Sequence, residues 1–250
     1  MNFLKKIISL LPPSITLGLK KIYYKIAISN VDFKKEINLS ALDSLINAGD
    51  FVVDIGANFG VYTSYLSKKV KQEGKVVSIE PVPSTFSVLQ YLIKKLKMDN
   101  VTALQFAISN KEEKVFMEVP NYEAGGLNFY RAKIIDGSSK DSFSVDSTTL
   151  DKILSNYEET PSFIKIDVEG VELNVIEGAS KTLESKDTSF LIEVGADPDE
   201  KDSDADKLFK IFANANYKPY VFEKGNFRLR TKGEKQIDYF FIKNSSSILN

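Results

Sequence analysis

The sequence predicts an α/β protein built on a largely parallel sheet with crossover helices. From residue 41 onward, short runs of β-branched residues alternate with stretches of helical periodicity, a pattern typical of parallel strands joined by helices. Several of these runs end in an acidic residue directly before a turn or a helix start. The length of 250 residues, 43% of them hydrophobic, suits one larger domain with extensions.

Seven core strands are predicted in order along the chain. They occupy residues 51–55, 75–80, 101–106, 163–167, 190–193, 217–222 and 238–242. Helices are predicted at residues 61–70, 84–98, 171–183 and 208–213, and Ser84 is expected to cap the second of them. Two further strand-like runs, at residues 114–119 and 142–145, indicate an inserted antiparallel hairpin.

The chain therefore divides into three parts. We predict an N-terminal helical extension (residues 1–40), a main domain (residues 41–243, with an insertion at about 110–150) and a polar tail (residues 244–250).

Residues 1–29 form a basic and apolar segment with five lysines and no acidic residue. Apolar residues recur at helical spacing before Pro12 and Pro13, and a second amphipathic stretch covers residues 15–28. The interrupted run is too short to span a bilayer, and no signal-peptide cleavage site follows it. We expect the segment either to pack on the main domain or to anchor a cytoplasmic protein peripherally at the inner face of the membrane.

The composition excludes several chemistries. The chain contains no Cys and no His, so thiolate and imidazole groups are impossible as nucleophiles, bases or ligands, and any metal must bind oxygen. The formal net charge is −1, from 33 basic and 34 acidic residues, which argues against nucleic acid as a partner.

A glycine turn lies between the first predicted strand and its helix, with the sequence DIGANFG at residues 54–60. It is not the dinucleotide fingerprint, because the glycines are four residues apart and the third glycine is missing. An acid before such a turn favours a cationic, phosphate-free ligand, and S-adenosylmethionine is such a ligand. We predict cofactor contacts at Asp54, Gly56, Ala57, Asn58 and Gly60.

Glu80 ends the second predicted strand, twenty residues beyond Gly60, and Pro81 follows it. An acid at this position can bind both hydroxyls of a ribose. The alternative is that Asp54 only caps the following helix and Glu80 is merely exposed. The joint spacing of the two acids favours a cofactor site.

A third acidic cluster, Asp167 and Glu169, lies at the junction between the fourth core strand and its helix. Both are expected at the same carboxyl-end edge as Asp54 and Glu80, and Glu193 at the end of the fifth strand can join them. Clustered carboxylates can act as a general base or bind Mg²⁺. The alternative is a helix start enriched in acids that complement the helix dipole.

The residues resemble the FkbM family of S-adenosylmethionine-dependent methyltransferases. The resemblance covers about residues 50–195 and rests on ordered motifs, of which IDVEG at residues 166–170 is the most specific. These motifs occupy residues 53–60, 79–81, 107–109, 149–151, 164–170, 177–179 and 192–193.

The resemblance implies a class I methyltransferase fold, a Rossmann-like doubly wound sheet of seven strands with the last antiparallel. It also implies cofactor binding at residues 54–60 and Glu80, beside which we place Pro81 and Ala107. Family members methylate hydroxyls of polyketides or of sugars in bacterial surface glycans. Many carry a His after the fifth-strand Glu, whereas Val194 follows Glu193 here, so a histidine base is impossible in this chain.

We therefore expect Asp167 or Glu169 to act as the base, assisted by Glu193, or Asp167 and Glu193 to hold a divalent cation. Lys165 is a candidate for orienting the acceptor. The insertion at residues 121–140 offers Tyr130 and Arg131 as sugar-binding side chains, along with Tyr122 and Asn128. An ordinary surface hairpin whose aromatic residues pack inward is an equal alternative for this insertion.

The expected function is O-methylation of a hydroxylated small molecule or glycan, foremost a sugar of bacterial surface polysaccharide. Two alternatives from other classes are a non-catalytic interaction protein that keeps the cofactor fold and a nicotinamide-dependent oxidoreductase. Retention of all four acids, at positions 54, 80, 167 and 169, argues against the first, and the missing third glycine argues against the second.

Overall fold

The computed structural model describes residues 13–31, 37–121 and 127–243. The apolar helical face predicted before Pro12, the candidate residue Tyr122 and the polar tail lie outside these ranges. Among the described helices, none combines the length and hydropathy that crossing a bilayer requires.

Twelve strands occur in the described residues and form two sheets. In chain order they are β1 (Phe51–Ile55), β2 (Lys75–Ile79), β3 (Val101–Leu104), β4 (Ala107–Ile108), β5 (Glu113–Glu118), β6 (Lys133–Ile135), β7 (Phe143–Thr148), β8 (Phe163–Ile166), β9 (Ser189–Glu193), β10 (Tyr217–Glu223), β11 (Asn226–Leu229) and β12 (Asp238–Lys243).

The large sheet has the strand order β11-β10-β12-β9-β8-β1-β2-β3. The five strands from β9 to β3 are parallel, whereas β12 is antiparallel to β9 and to β10. All seven predicted core strands are present, and the antiparallel last strand is confirmed. An eighth strand, β11, pairs with β10 as an edge hairpin that the sequence analysis did not predict.

The insertion forms a sheet of four strands, ordered β4-β7-β5-β6, where a single hairpin was predicted. The two predicted strands, β5 and β7, do pair antiparallel. The chain between them folds back as β6 on the other edge of β5, and β4 adds a short parallel pairing with β7. Val115, Met117 and Val145 bury the inner face of this sheet.

Eight α-helices lie in the described residues. They are α1 (Pro13–Ser29), α2 (Ile37–Leu45), α3 (Val61–Val70), α4 (Pro83–Lys95), α5 (Leu150–Leu154), α6 (Glu172–Glu177), α7 (Ser180–Glu184) and α8 (Asp204–Asn214).

Two predicted helix details are wrong. Val82, not Ser84, is the N-cap of α4, because Pro83 takes the first helical position, where its missing N–H costs nothing. The helix predicted over residues 171–183 is two helices. The carbonyl of Gly178 accepts the Asp151 N–H, and the Asp151 carboxylate accepts the N–H groups of Lys181 and Thr182, so the chain turns and α7 starts anew.

Both faces of the large sheet are covered, as a doubly wound fold requires. Alternate residues of β1 show the division: Val53 packs with the helices after β8, and Val52 packs with α2 and α3. The strand order reverses between β1 and β8, since the chain runs from β1 outward to β3 and then returns to β8 and β9. In open α/β sheets, ligands bind outside the carboxyl ends of the strands at this point.

Candidate functional site

A cleft of about 270 Å³ lies at the point where the strand order reverses. This volume is near the lower end of the range for ligand sites. Nine of the residues predicted for the site line it together: Gly56, Asn58, Glu80, Pro81, Ala107, Tyr130, Asp167, Glu169 and Glu193.

The glycine turn brings β1 against β8 at the floor of the cleft. The N–H groups of Gly56 and Ala57 both donate to the Ile79 carbonyl, which ties the turn to β2. Gly56 has φ of +76°, and a Cβ built on it would lie 1.8 Å from the Asp167 carbonyl oxygen. Only glycine fits here, because the two backbones touch.

Two other residues that line the cleft have a left-handed backbone conformation like that of Gly56. They are Asn58, with φ of +49°, and Glu169, with φ of +55°. Such conformations cost free energy in residues other than glycine, and they cluster at functional sites. The Oδ1 atom of Asn58 is buried without a hydrogen-bond partner. This atom is therefore available to accept a hydrogen bond from a ligand.

Both carboxylate oxygens of Glu80 accept a hydrogen bond from the backbone. One oxygen accepts the Asn58 N–H and the other the Val82 N–H, each at 2.9 Å. Burial raises the pKa of Glu80 to about 7, against the opposing effect of these two N–H groups. Each oxygen has a second lone pair, so Glu80 fits the two ribose hydroxyls that the sequence analysis assigned to it.

Asp54 and Lys165 form a buried ion pair beneath the cleft and do not line it. Lys165 Nζ lies 3.7 Å from Asp54 Oδ1 and 3.0 Å from Asp167 Oδ2, and it sits 4.6 Å from the Tyr62 ring centroid. Burial acts to lower the pKa of Lys165, but the two carboxylates raise it above its usual value. Lys165 thus positions Asp167 instead of reaching into the cleft.

Asp54 is fully buried, and burial raises its pKa even though Lys165 acts to lower it. Its Oδ2 accepts the Thr63 hydroxyl at 2.7 Å, and Thr63 lies 2.9 Å from the Ser78 hydroxyl. Thr63 and Ser78 were not among the site residues predicted from the sequence. Ser78 is the one polar residue inside an apolar strand, opposite Asp54 in register, and this was a usable signal.

Three carboxylates meet at the open edge of the cleft. One oxygen from each of Asp167, Glu169 and Glu193 lies within 4.8 Å of the other two. Burial, and to a smaller extent the charge of Asp167, raises the pKa of Glu193 to about 7. The same two causes, in the same order, raise the pKa of Glu169. The arrangement can take up a proton near neutral pH.

The same three oxygens have the chemistry that a hard divalent cation prefers. Mg²⁺ at Asp167 and Glu193 stays a prediction, because carboxylates also cluster at sites that bind no ion.

The insertion supplies one wall of the cleft. A short 3₁₀ helix, Phe129–Arg131, places Phe129 and Tyr130 on this wall, next to apolar residues of β5 and β6. Arg131 is exposed and does not line the cleft, but its charge acts on Glu169. Two of the predicted cofactor contacts, Ala57 and Gly60, belong to the glycine turn but do not line the cleft. Phe129 was not predicted as a site residue, yet it lines this wall of the cleft and Arg131 does not.

Known proteins share the sequence family and the fold of this chain. A sequence model of one family, the methyltransferase FkbM domain, matches residues 54–219. Methyltransferase 1 of Beauveria bassiana is 25% identical over 144 residues, which are 51% of this chain and 57% of that protein. The hexuronic acid methyltransferase AglP of Haloferax volcanii is 27% identical over 154 residues, 61% of this chain and 59% of that protein.

A crystal structure of methyltransferase FkbM from Methylobacillus flagellatus has the same fold, with a TM-score of 0.52 at 15% identity. The match covers 89% of this chain and 59% of that chain. This chain thus spans less than two thirds of the length of each of these three proteins.

Proposed function

Because the chain belongs to the FkbM family of methyltransferases, we propose that it transfers a methyl group from S-adenosylmethionine to a hydroxyl of a sugar. One observation carries the proposal: within the matched residues 54–219, Glu80 and the three carboxylates Asp167, Glu169 and Glu193 line a single cleft. A ribose-binding acid and a proton acceptor are the two things that this reaction needs from the protein.

The residues fit the cofactor. Glu80 and Asn58 offer hydrogen-bond acceptors inside the cleft, and the turn at Gly56 brings backbone close to a ligand. When bound, S-adenosylmethionine supplies a methyl group activated by its sulfonium, and S-adenosylhomocysteine is left. The family assignment favours this chemistry over the nicotinamide alternative.

Loss of the Glu80 carboxylate should remove most of the affinity for S-adenosylhomocysteine. We expect Glu80→Ala to raise its Kd about 100-fold, because each hydrogen bond to a charged group contributes about 1.5–3 kcal/mol. Glu80→Gln, which keeps the shape and one acceptor oxygen, should cost about tenfold. Isothermal titration calorimetry gives both values.

Thermal unfolding of the ligand-free variants is the control, since Glu80 also holds two backbone N–H groups. A Kd that changes less than twofold in both folded variants would remove Glu80 from the cofactor site. No binding by the folded wild type would remove the proposed function itself.

The chain's own part in the chemistry is to orient the acceptor hydroxyl and accept its proton. Glu193 suits this task best, because a pKa of about 7 leaves half of it ionised at neutral pH and makes its carboxylate basic enough to accept a proton. Asp167, held by Lys165, and Glu169 flank it. As the oxygen–methyl bond forms and the methyl–sulfur bond breaks, the hydroxyl proton goes to Glu193.

The methyl-transfer rate should rise with pH through about 7 and level off above it, because only ionised Glu193 accepts the proton. Glu193→Gln should lower kcat about 100-fold and abolish this inflection. Single-turnover transfer of a labelled methyl group measures both. Exposed Glu158 serves as the matched control, and Glu158→Gln should keep the wild-type profile. Because the pKa of Glu80 is also about 7, the decisive contrary result is a Glu193→Gln variant in which both kcat and the inflection are unchanged, which would assign the base to another group.

The acceptor is a sugar hydroxyl of a glycan, and the similarity to a hexuronic acid methyltransferase supports this class. Three carboxylates at the cleft edge favour a neutral hydroxyl there over a negatively charged group of the acceptor. Methyl transfer to neutral and uronic-acid oligosaccharides of bacterial surface polysaccharides, with Mg²⁺ or with a chelator, tests the acceptor and the metal together. Failure with every sugar despite cofactor binding would refute the glycan assignment.

A further inference from the structure

The N-terminal helix α1 packs on the wall of the cleft with one face. The Tyr24 ring stacks on Phe59 at 3.9 Å between centroids, and the Tyr24 hydroxyl lies 2.9 Å from the hydroxyl of Tyr130. Lys20 Nζ lies 3.6 Å from the Phe129 ring centroid. Ile28 at the end of the helix is fully buried. The helix is therefore fixed on Phe129 and Tyr130, two of the insertion residues that line the cleft.

The opposite face of α1 is an apolar stripe, which consists of Ile15, Leu19, Ile22, Tyr23 and Ile26. These residues are spaced by four, three, one and three positions, which places them on one side of a helix. Each is between 45% and 65% exposed. A contiguous stripe of five exposed large apolar side chains on one helix face indicates an interaction surface.

The charge around the stripe indicates what it contacts. Residues 1–29 carry five lysines and no acidic residue. Lys20 packs on Phe129 on the other face of α1, whereas Lys25, three positions after Ile22, is exposed beside the stripe. A second copy of the chain would bring like charges together in a symmetric contact. A bilayer with anionic headgroups complements the lysines and accepts the apolar side chains.

We propose that α1 docks the protein on an anionic bilayer, with its apolar stripe inserted at the level of the headgroups and acyl chains. The same helix then holds the cleft wall close to the membrane surface. This placement suits an acceptor glycan attached to a lipid, an extension that rests on the proposed function.

Co-sedimentation with vesicles tests the docking. The 250-residue chain should sediment with vesicles of phosphatidylcholine that contain about 30% phosphatidylglycerol. It should sediment less with phosphatidylcholine alone, and less as salt is raised. The variant Ile15→Gln/Leu19→Gln/Ile22→Gln/Ile26→Gln should bind the anionic vesicles at least about tenfold more weakly.

The matched control is Leu127→Gln/Leu229→Gln/Ile237→Gln, because these three residues are as exposed as the stripe but lie elsewhere. It should sediment like the wild type. Calorimetry with S-adenosylhomocysteine checks that every variant keeps its fold and cofactor site, so a failure of docking is distinguished from a failure of the proposed function.

Three results would overturn the proposal. One is a wild type that stays in the supernatant with anionic vesicles. Another is a stripe variant that binds them as well as the control does. The third is a stable dimer in light scattering that the stripe variant alone dissociates, since the face would then belong to a second copy.

Discussion

Gly56→Ala should destabilise the protein by about 4 kcal/mol and abolish cofactor binding. The added methyl group would lie 1.8 Å from the Asp167 carbonyl oxygen, so β1 and β8 must separate at the floor of the cleft. Alanine also pays for the left-handed backbone, which costs about 1–2 kcal/mol by itself. Denaturant unfolding measures the free energy, and calorimetry measures the binding of S-adenosylhomocysteine.

Gly137→Ala serves as the control that separates the steric clash at Gly56 from the conformational cost of the substitution. Gly137 has φ of +75°, nearly the value at Gly56, but nothing lies within 4 Å of the Cβ that alanine would add. It should lose only the conformational cost of about 1–2 kcal/mol and bind the cofactor normally. Equal losses in the two variants would show that β1 and β8 can separate freely at this point.

Lys165→Met should destabilise the protein by about 3–5 kcal/mol, the usual cost of leaving one partner of a buried ion pair alone. Asp54 would stay fully buried with its Thr63 hydrogen bond but without its counter-charge. Asp167 would lose the ammonium group that fixes its carboxylate at 3.0 Å. Methyl transfer should therefore fall as well, which activity assays of the folded variant measure.

The double variant Asp54→Asn/Lys165→Met removes the unpaired charge. It should be more stable than Lys165→Met alone, because the buried amide carries no charge to compensate. The deficit of Lys165→Met should also shrink as pH falls. A protonated Asp54 needs no partner, and an acid whose folded pKa is raised contributes stability at low pH that is lost as pH rises. A deficit independent of pH would mean that Asp54 is not the source of the cost.

The parallel core and the acids at its edge could be predicted because both are local signals. Buried parallel strands appear as short apolar runs, and carboxyl ends of such strands share one edge whatever the helices between them do. Glu80, Asp167, Glu169 and Glu193 therefore meet as expected from their positions at the ends of β2, β8 and β9. The insertion was harder, because the strand β6 between β5 and β7 is only three residues long.

The sequence could not show that Asp54 and Lys165 are buried beneath the cleft while Asp167 lines it. Lys165 and Asp167 are two positions apart and therefore share one face of the sheet, so the distance from the end of the strand decides whether a side chain is covered or reaches the cleft. Asp54 pairs with Lys165 in register across β1 and β8, which puts both charges in the interior and leaves Asp167 to face the cleft.

The amino-acid sequence was enough to predict the parallel α/β core, the glycine turn, the acids at the strand ends and, through its motifs, the methyltransferase family. Only the folded chain shows which carboxylates share one cleft, that burial raises the pKa of Glu193 to about 7, and that α1 supports the cleft wall with its apolar stripe exposed. The reason is that sequence motifs reflect the local conformational requirements of the backbone. Burial and charge at a side chain are set by residues distant in the chain, such as Tyr24 against Phe59 or Lys165 between Asp54 and Asp167.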